Sequence, residues 1–185
     1  MRADTSSKAP RRTFTTRDGR SGLVRPAQRS DAAACVAIVK EATTMRPRTI
    51  MTMTDEVWGV REWRKRMLGQ GDRGISLVAE VDGRVVGLLG AVRGDRPVTS
   101  HGAEFGITVA AAYRGGGVGR AMLEALEDWA RAHGVWRLVL GVFESNEGAR
   151  GLYESLGYEA EGVERRVVAF PDGTVDVLRM SKFLR

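Results

Sequence analysis

Four glycines within five positions, directly ahead of an amphipathic segment, constrain the fold of this chain more than any other feature. They lie in YRGGGVGRAM, residues 113–122. Glycine weakens a regular helix or strand by roughly 0.5–1 kcal/mol relative to alanine, so the run predicts a tight turn between two elements. The preceding HGAEFGITVA is typical of a strand, and an apolar face at helical spacing follows from about Val118 to Ala132. The pattern predicts a strand, a glycine turn and a helix in succession.

Such a turn is suited to an anionic ligand. The start of a helix has backbone N–H groups without helical partners, and the helix dipole adds positive potential there. Glycines let a ligand approach the backbone closely, and Arg114 and Arg120 flank the run with positive charge. A P-loop is excluded because no lysine follows the glycines, and the G-x-G-x-x-G spacing of dinucleotide folds is absent. The pattern predicts a site for a diphosphate-bearing ligand, with a flexible surface loop as the alternative.

The remaining segments predict one α/β domain with a mixed sheet. Asp18-Gly19 and Asp82-Gly83 each stand between β-rich runs and predict two hairpins. The short apolar run WRLVLGVF predicts a strand buried on both faces. Apolar periodicity and capping residues predict the helices, and turn residues delimit the last strands. The predicted helices cover about 30–45, 54–68, 118–132 and 146–156, and the last two strands cover 161–170 and 174–183.

Positive charge is concentrated near the N-terminus. The formal net charge is +6, and residues 1–29 hold eight basic and two acidic side chains, so the rest of the chain is neutral. We expect a basic arm over residues 1–21, with a short hairpin, followed by the domain over residues 22–185. Such an arm could contact nucleic acid. Its only aromatic residue is Phe14, so we favour a solvated tail and do not expect a nucleic-acid partner.

Cysteine, histidine and hydropathy patterns exclude several classes of protein. Cys35 is the only cysteine, so an internal disulfide is impossible, which is compatible with the cytoplasm. It lies in the apolar helical pattern DAAACVAIVKEA and is expected in the core rather than as a nucleophile. His101 and His133 lack ligand spacing, so no metal site is expected. No apolar run approaches the roughly 20 residues of a membrane span, and the N-terminus lacks the pattern of a secretory signal.

Two blocks stand in an order and spacing shared with one known family. Arg114, Gly117 and Gly119 match the pattern [Q/R]-x-x-G-x-[G/A], and SNEGARGLYESLGY, residues 145–158, matches N-x-x-A-x-x-[LF]-Y-x-x-x-G-[FY]. Over about residues 22–183 the chain resembles the GNAT superfamily of N-acetyltransferases, in which LVRPAQRSDA and VAEVDGRVVGLLG are similar to the first strand and the central hairpin. The resemblance implies a single-domain α/β fold. Its mixed, mostly antiparallel sheet of about seven strands would be splayed in the middle and flanked by about four helices.

The resemblance implies acetyl-CoA as the acyl donor, with no metal. In the family, the strand before the glycine turn bulges and parts from its neighbour, and the pantetheine arm lies in the opening as an added strand would. The N–H of Val109, or one close to it, would polarise the thioester carbonyl. The pyrophosphate would lie on the backbone of the glycine turn, and Asn146 would contact the pantetheine arm. The expected contacts are Ile107, Thr108, Val109, Arg114, Gly115, Gly116, Gly117, Val118, Gly119, Arg120, Asn146 and Tyr153.

Two side chains are candidates for proton transfer. Tyr153 stands in the family's tyrosine position, where a hydroxyl protonates the departing CoA thiolate; a tyrosine that only packs is the alternative. The acceptor must be a neutral amine, and freeing the lone pair of an alkyl amine of pKa ~10.4 costs about 4–5 kcal/mol at pH 7. Glu104, on the strand that enters the cleft, is the candidate base, acting through water. An exposed strand carboxylate without a catalytic role remains the alternative for Glu104.

The expected acceptor is a small primary amine, of the amino acid or amino-acid-like class. By analogy with the family, the loop TTMRPRTIMTM would line the acceptor pocket, with its methionines as an apolar wall and with Arg46 and Arg48 attracting a carboxylate. A protein N-terminal or lysine acetyltransferase and a non-catalytic acyl-CoA-binding module stay open as alternatives. Many GNAT proteins dimerise, often through their last strands, so a homodimer is a further expectation.

Overall fold

The computed structural model describes residues 10–44, 59–68 and 71–184. The described strands form a single sheet, and they are β1 (Arg12–Thr15), β2 (Ser21–Pro26), β3 (Gly74–Val81), β4 (Arg84–Arg93), β5 (Gly102–Val109), β6 (Arg137–Phe143), β7 (Glu159–Phe170) and β8 (Gly173–Phe183). Their order across the sheet is β1-β2-β3-β4-β5-β6-β8-β7. Strands β5 and β6 are parallel, and the other neighbouring pairs are antiparallel.

The described residues also form four α-helices: α1 (Ala32–Thr44), α2 (Val60–Leu68), α3 (Val118–Ala132) and α4 (Glu147–Ser155). Each lies where periodicity predicts a helix, although the predicted start of α2 lies outside the described residues. The mixed, mostly antiparallel sheet and its helices confirm the predicted fold class. The sheet has eight strands rather than about seven, because β1 from the N-terminal hairpin joins its edge. None of the described helices is long and apolar enough to cross a membrane.

The central strands are buried on both faces of the sheet, because successive side chains of a strand point to opposite sides. On β3, Leu77 and Ala79 pack in a large core with α3, whereas Val78 between them packs in a smaller core with α1. Cys35 of α1 is fully buried in that smaller core, which confirms its predicted packing role. Burial raises the pKa of its thiol to about 12, so the thiol stays protonated at neutral pH.

The N-terminal hairpin, β1 with β2, is attached to the rest of the domain by the pairing of β2 with β3 and by Arg12. Arg12 on β1 pairs with Glu124 and Asp128 on α3, at nitrogen–oxygen distances of 2.9 and 3.0 Å. Phe14 lies directly over Gly22 of β2, where a Cβ atom would collide with the ring. Part of the predicted basic arm therefore belongs to the sheet, while residues 1–9 lie outside the described part of the chain.

The sheet parts between β5 and β6. The two strands pair only through residues 102–104 of β5 and 137–139 of β6. Beyond them, β5 stays paired with β4 up to Val109, while β6 stays paired with β8 up to Phe143. The predicted splay is therefore present. The bulge that the resemblance implied in β5 is not, because the register of β5 with β4 is continuous over residues 103–109; the opening arises where β6 diverges.

Candidate active site

The glycine turn lies between β5 and α3, beside the opening in the sheet. After β5, a short 3-10 turn over Ala111–Tyr113 leads into the glycines, and α3 begins at Val118. Gly115 and Gly117 have φ angles of +71° and +97°, in the left-handed region that side chains disfavour. The backbone itself therefore requires glycine at two of the four positions.

Several backbone N–H groups at the start of α3 lie outside the helical hydrogen-bond ladder. The first bond of the ladder runs from the Ala121 N–H to the Gly117 carbonyl, at 3.1 Å. The N–H groups of residues 118–120 precede this bond and have no partner within the helix. A Cβ atom on Gly119 would come within 2.9 Å of Leu152 Cδ2, so glycine also lets α4 lie against this first turn. The turn offers the donors that an anionic ligand needs.

A cavity of about 300 Å³ lies between the end of β5, the glycine turn and α4. Two segments that are distant in sequence, residues 107–119 and 146–153, meet in its wall, and most of the residues expected to contact acetyl-CoA are among them. Its lining consists of Ile107, Thr108, Val109, Tyr113, Arg114, Gly115, Gly119, Asn146, Gly148, Ala149, Leu152 and Tyr153.

Other expected contacts lie beside this cavity rather than in its wall. Val118 is buried in the core, and Gly117 is the residue that precedes α3. Arg120 is turned toward α4, where its Nη2 donates to Ser155 Oγ at 2.8 Å. Gly116 lines a neighbouring cavity of about 210 Å³, against the N-terminal hairpin. For these residues, the contact with acetyl-CoA stays a prediction, and it would be made by their backbone N–H groups.

The free edge of β5 presents backbone groups to the opening. The Ala110 N–H donates to the Val86 carbonyl of β4, at 2.9 Å. N–H groups along a strand point alternately to its two edges, so those of Ile107 and Val109 point away from β4, toward the side that β6 has left. Arg114 Nε donates to the Val109 carbonyl, at 2.9 Å. This alternation supports the expectation that the Val109 N–H polarises a thioester, which remains a prediction.

Thr108 contributes a buried hydroxyl that the sequence pattern did not assign. The residue is 5 % exposed, and its Oγ1 has no hydrogen-bond partner among the described residues. Leaving a buried polar group unpaired costs about 1–3 kcal/mol of stability. The sequence carried a signal for it: a threonine that alternates with Glu104 and Gly106 on one face of β5.

Tyr153 brings a phenolic hydroxyl to the cavity from α4. The residue is 6 % exposed, and its ring packs edge-on against Phe105 of β5 and against Tyr158, at centroid distances of 6.2 and 5.8 Å. Burial raises the pKa of its hydroxyl above the ordinary value for tyrosine. The hydroxyl is therefore protonated at neutral pH, as a proton donor must be.

Asn146 caps α4 and lines the same cavity. Its Oδ1 accepts a hydrogen bond from the Ala149 N–H at 3.2 Å. With this oxygen engaged, the Nδ2 amide is the group that Asn146 can offer to a ligand. The cap explains why an asparagine suits this position structurally as well as chemically.

Glu104 lies outside the 300 Å³ cavity, in the wall of a larger cavity of about 720 Å³. Its Oε1 pairs with Arg179 Nη1 of β8 at 2.8 Å, and its side chain is 62 % exposed. Glu104 precedes Ile107 by three residues, which is about 10 Å along a strand. A proton would have to reach it through water, as the predicted role requires. Whether Glu104 acts as the base remains a prediction.

Part of the expected acceptor pocket lies outside the described residues, including Arg46 and Arg48. Within residues 10–44, 59–68 and 71–184, no three His, Cys, Asp or Glu side chains are grouped as metal ligands would be.

The turn of the N-terminal hairpin contacts the glycine run, a contact that the sequence did not predict. The Arg17 N–H donates to the Gly116 carbonyl at 3.1 Å, and the Arg20 guanidinium lies 4.8 Å from the centre of the Tyr113 ring. The Asp18-Gly19 signal predicts the hairpin itself. Its docking joins segments about a hundred residues apart, which no local pattern encodes.

Known proteins resemble this chain in sequence and in fold. Residues 40–158 match the model of the Acetyltransferase (GNAT) family. A curated relative, L-amino acid N-acetyltransferase AaaT of Escherichia coli (strain K12), is 36 % identical over 126 residues, covering 65 % of this chain and 74 % of that protein. Among solved structures, a GCN5-related N-acetyltransferase from Kribbella flavida has 30 % identity and a TM-score of 0.72, covering 88 % of this chain and 98 % of that chain. Ribosomal-protein-alanine N-acetyltransferase from Brucella melitensis has 28 % identity and a TM-score of 0.77, covering 88 % of this chain and 99 % of that chain.

The family match spans β5, the glycine turn and α4, and the chain therefore belongs to the GNAT family of acetyltransferases.

Proposed function

We propose that the chain transfers the acetyl group of acetyl-CoA to the amine of an amino acid or an amino-acid-like compound. The observation that carries the proposal is the 300 Å³ cavity, where the edge of β5, the glycine turn and α4 meet. The free edge of β5 and Tyr153 lie in its wall. A CoA thioester supplies partners for these groups.

Each part of acetyl-CoA has a counterpart in this region. The N–H groups at the start of α3 suit the diphosphate, because they combine free donors with the positive end of a helix dipole. The free edge of β5 suits the two amides of pantetheine, which pair with backbone as a strand does. The Asn146 amide adds one side-chain donor to that path. The thioester then lies near Val109 and Tyr153.

The reaction we propose is a direct attack of the neutral amine on the thioester carbonyl carbon. The Val109 N–H stabilises the carbonyl oxygen as negative charge develops on it. Glu104, acting through water, takes the proton that the attacking nitrogen loses. As the carbon–sulfur bond breaks, the Tyr153 hydroxyl gives its proton to the CoA thiolate. The products are the acetylated amine and the CoA thiol, and solvent returns both side chains to their starting protonation.

The acceptor class rests on the curated relative, whose name assigns it L-amino acids. We infer the same chemical class for this chain. The name of the Brucella relative specifies an alanine of a ribosomal protein, so a protein acceptor is the second candidate.

A thiol-release assay with acetyl-CoA tests the proposal. The acceptor panel holds the L-amino acids, dipeptides, aminoglycosides and polyamines, with one protein-terminal peptide that begins with alanine. We expect CoA release with one or more amino acids. Release with the peptide alone would transfer the assignment to a protein acceptor. Binding of acetyl-CoA in calorimetry without release to any amine would instead indicate a non-catalytic acyl-CoA-binding module.

We also propose that the protein is a cytoplasmic homodimer. The cytoplasm supplies both acetyl-CoA and free amino acids, and its reducing conditions suit the single free thiol of Cys35. The dimer is supported by the edge strand β7, which among the described strands pairs with β8 alone and which exposes Val163 and Val167.

A further inference from the structure

The N-terminal hairpin forms one wall of a second cavity, of about 210 Å³, on the outer side of the glycine turn. Its other wall is Tyr113 and the start of the glycine run. Tyr113, Arg114 and Gly115 line both this cavity and the 300 Å³ cavity. The two cavities are therefore adjacent, separated only by the turn that we assign to the diphosphate.

The hairpin is held firmly enough to form a binding surface. The Arg17 N–H bonds to the Gly116 carbonyl, and the Arg12 pairs with Glu124 and Asp128 fix β1 to α3. The turn has its own bonds: Thr16 N–H donates to the Arg20 carbonyl, and Arg20 N–H donates to Thr16 Oγ1, both at 2.9 Å. The position of the turn beside the glycines is thus set by the fold.

The charges around this cavity are unequal. Arg20 is engaged by Asp18, with Nη2 and Oδ2 2.7 Å apart, so these two charges offset each other. Arg17 also lines the cavity, and its exposed side chain has no hydrogen bond or ion pair within the described part of the chain. Arg114 adds a second positive charge to the wall. The wall therefore carries an excess of positive charge, which suits an anion of the size of a phosphate.

We propose that this cavity binds the 3′-phosphate on the ribose of CoA, with Arg17 as the residue that selects for it. The inference rests on the proposed function, because the diphosphate on the glycine turn brings the ribose to this side. The 3′-phosphate is one sugar ring away from the diphosphate, and the two cavities share a wall. A phosphomonoester accepts the charge-assisted hydrogen bonds that a guanidinium donates. The basic segment at the N-terminus thereby contributes to binding of the acyl donor.

Calorimetry with CoA and 3′-dephospho-CoA, at ~0.15 M ionic strength, tests this assignment. We expect the unmodified protein to bind CoA about tenfold more tightly than 3′-dephospho-CoA, the difference that a charge-assisted hydrogen bond typically makes. In Arg17→Ala, the affinity for CoA should fall until its dissociation constant equals that for 3′-dephospho-CoA. The affinity for 3′-dephospho-CoA should stay unchanged. Arg17→Ala keeps the backbone N–H that bonds to Gly116, and its melting temperature should equal that of the unmodified protein.

Arg96→Ala is the matched control, because it removes the same charge from an exposed position at the opposite end of β5. It should keep the preference for CoA. Equal affinity of the unmodified protein for the two ligands would overturn the 3′-phosphate assignment while leaving the proposed function intact. An undiminished preference in Arg17→Ala would overturn the role of Arg17. Failure of the unmodified protein to bind either ligand would refute the proposed function as well.

Discussion

Two buried tyrosines lie side by side beneath the cleft, and only one of them lines the cavity. Tyr153 and Tyr158 pack edge to face, and burial raises the pKa of both hydroxyls. Tyr153 is in the wall of the 300 Å³ cavity, whereas the Tyr158 hydroxyl is buried without a hydrogen-bond partner among the described residues. The pair therefore consists of one tyrosine at the cavity and one whose hydroxyl is enclosed in the core.

Tyr153→Phe should lower kcat by at least about tenfold, because general acid catalysis contributes roughly 10²–10⁴ in rate and only part of it is lost when water substitutes. The dissociation constant for acetyl-CoA should stay unchanged in calorimetry, since the ring is retained. Tyr158→Phe is the control, and its kcat should match that of the unmodified enzyme. Equal turnover of the two variants would remove the acid role from Tyr153.

Glu104→Gln should lower kcat/KM at neutral pH by about 10², with a smaller loss at alkaline pH. The sign follows from the acceptor: as pH rises toward the pKa of its amine, the neutral nucleophile forms without a base. Glu164→Gln is the control, because Glu164 lies 3.7 Å from the same Arg179 but belongs to the edge strand β7. A pH-independent loss in Glu104→Gln, matched by Glu164→Gln, would mean that Glu104 only orients Arg179.

At this scale the sequence predicted residues whose role follows from chemical type and order. Asn146 and Tyr153 were predicted from the resemblance to the GNAT family, whose second block they match in residues 145–158, and both lie in the wall of the 300 Å³ cavity. Thr108 was predicted as a contact, but the burial of its hydroxyl without a partner was not predicted, and neither was the position of Arg17 beside the glycine turn. Both depend on how distant side chains pack after folding, and that is a property of the packed structure.

Among the elements, the glycine turn makes the most specific demand on sequence. Gly117→Ala should lower the free energy of unfolding by about 1–2 kcal/mol, because an alanine would have to adopt the φ of +97° found there. Acetyl-CoA binding should weaken too, since this residue sets the start of α3. Urea denaturation and calorimetry measure the two effects.

Gly116→Ala is the control for stability. Gly116 lacks a positive φ, and a Cβ there would come no closer than 3.4 Å to the Tyr113 carbonyl oxygen. Its free energy of unfolding should change by less than about 0.5 kcal/mol, as for an ordinary surface substitution. A Gly117→Ala protein as stable as Gly116→Ala would contradict the strained turn.

A buried ion-pair group joins β2, β3 and the start of α1. Arg25 of β2 pairs with Asp31 at 2.7 Å and with Glu80 of β3 at 2.5 Å, and the Gln28 N–H donates to Asp31 Oδ2 at 2.7 Å. Desolvation alone would raise the pKa of Asp31, but the bonds from Arg25 and Gln28 outweigh it and lower the pKa. The stabilisation from Asp31 is therefore complete above pH ~4, the ordinary range of a carboxyl group, and is lost as pH falls through the lowered value.

Asp31→Ala should lower the free energy of unfolding by about 3–5 kcal/mol at pH 7, because it leaves Arg25 buried with an incomplete set of partners. The difference from the unmodified protein should shrink in urea denaturation as pH falls below ~4 and through the lowered native pKa, because the carboxyl of the unfolded chain takes up its proton first. Asp128→Ala is the control: its pair with Arg12 is half exposed, and its loss should cost at most about 1 kcal/mol. Similar losses of unfolding free energy in both variants would contradict the stabilising role of the buried ion-pair group.

For the whole molecule, the sequence predicted the order and type of the elements better than their assembly. Each described helix follows from its periodicity, and both predicted turns, Asp18-Gly19 and Asp82-Gly83, join antiparallel strands. The docking of the N-terminal hairpin depends instead on contacts such as Arg12 with α3, between residues more than a hundred positions apart. Such long-range contacts produce no periodic pattern in the sequence. The predicted boundary at residue 22 therefore fell within a hairpin, and both strands of that hairpin belong to the sheet.

The proposed homodimer would form at the β7 edge of the sheet. The proposed homodimer would bury the exposed side chains Val163 and Val167 of β7, which are 38 % and 50 % exposed in the single chain. Size-exclusion chromatography with light scattering should therefore give twice the chain mass of 20.2 kDa. The double substitution Val163→Asp and Val167→Asp should give the single-chain mass, because charges would be buried without partners. Val98→Asp, at a position 77 % exposed in the loop before β5, should leave the dimer intact. A single-chain mass for the unmodified protein at every concentration would exclude the dimer, without affecting a cavity built from one chain.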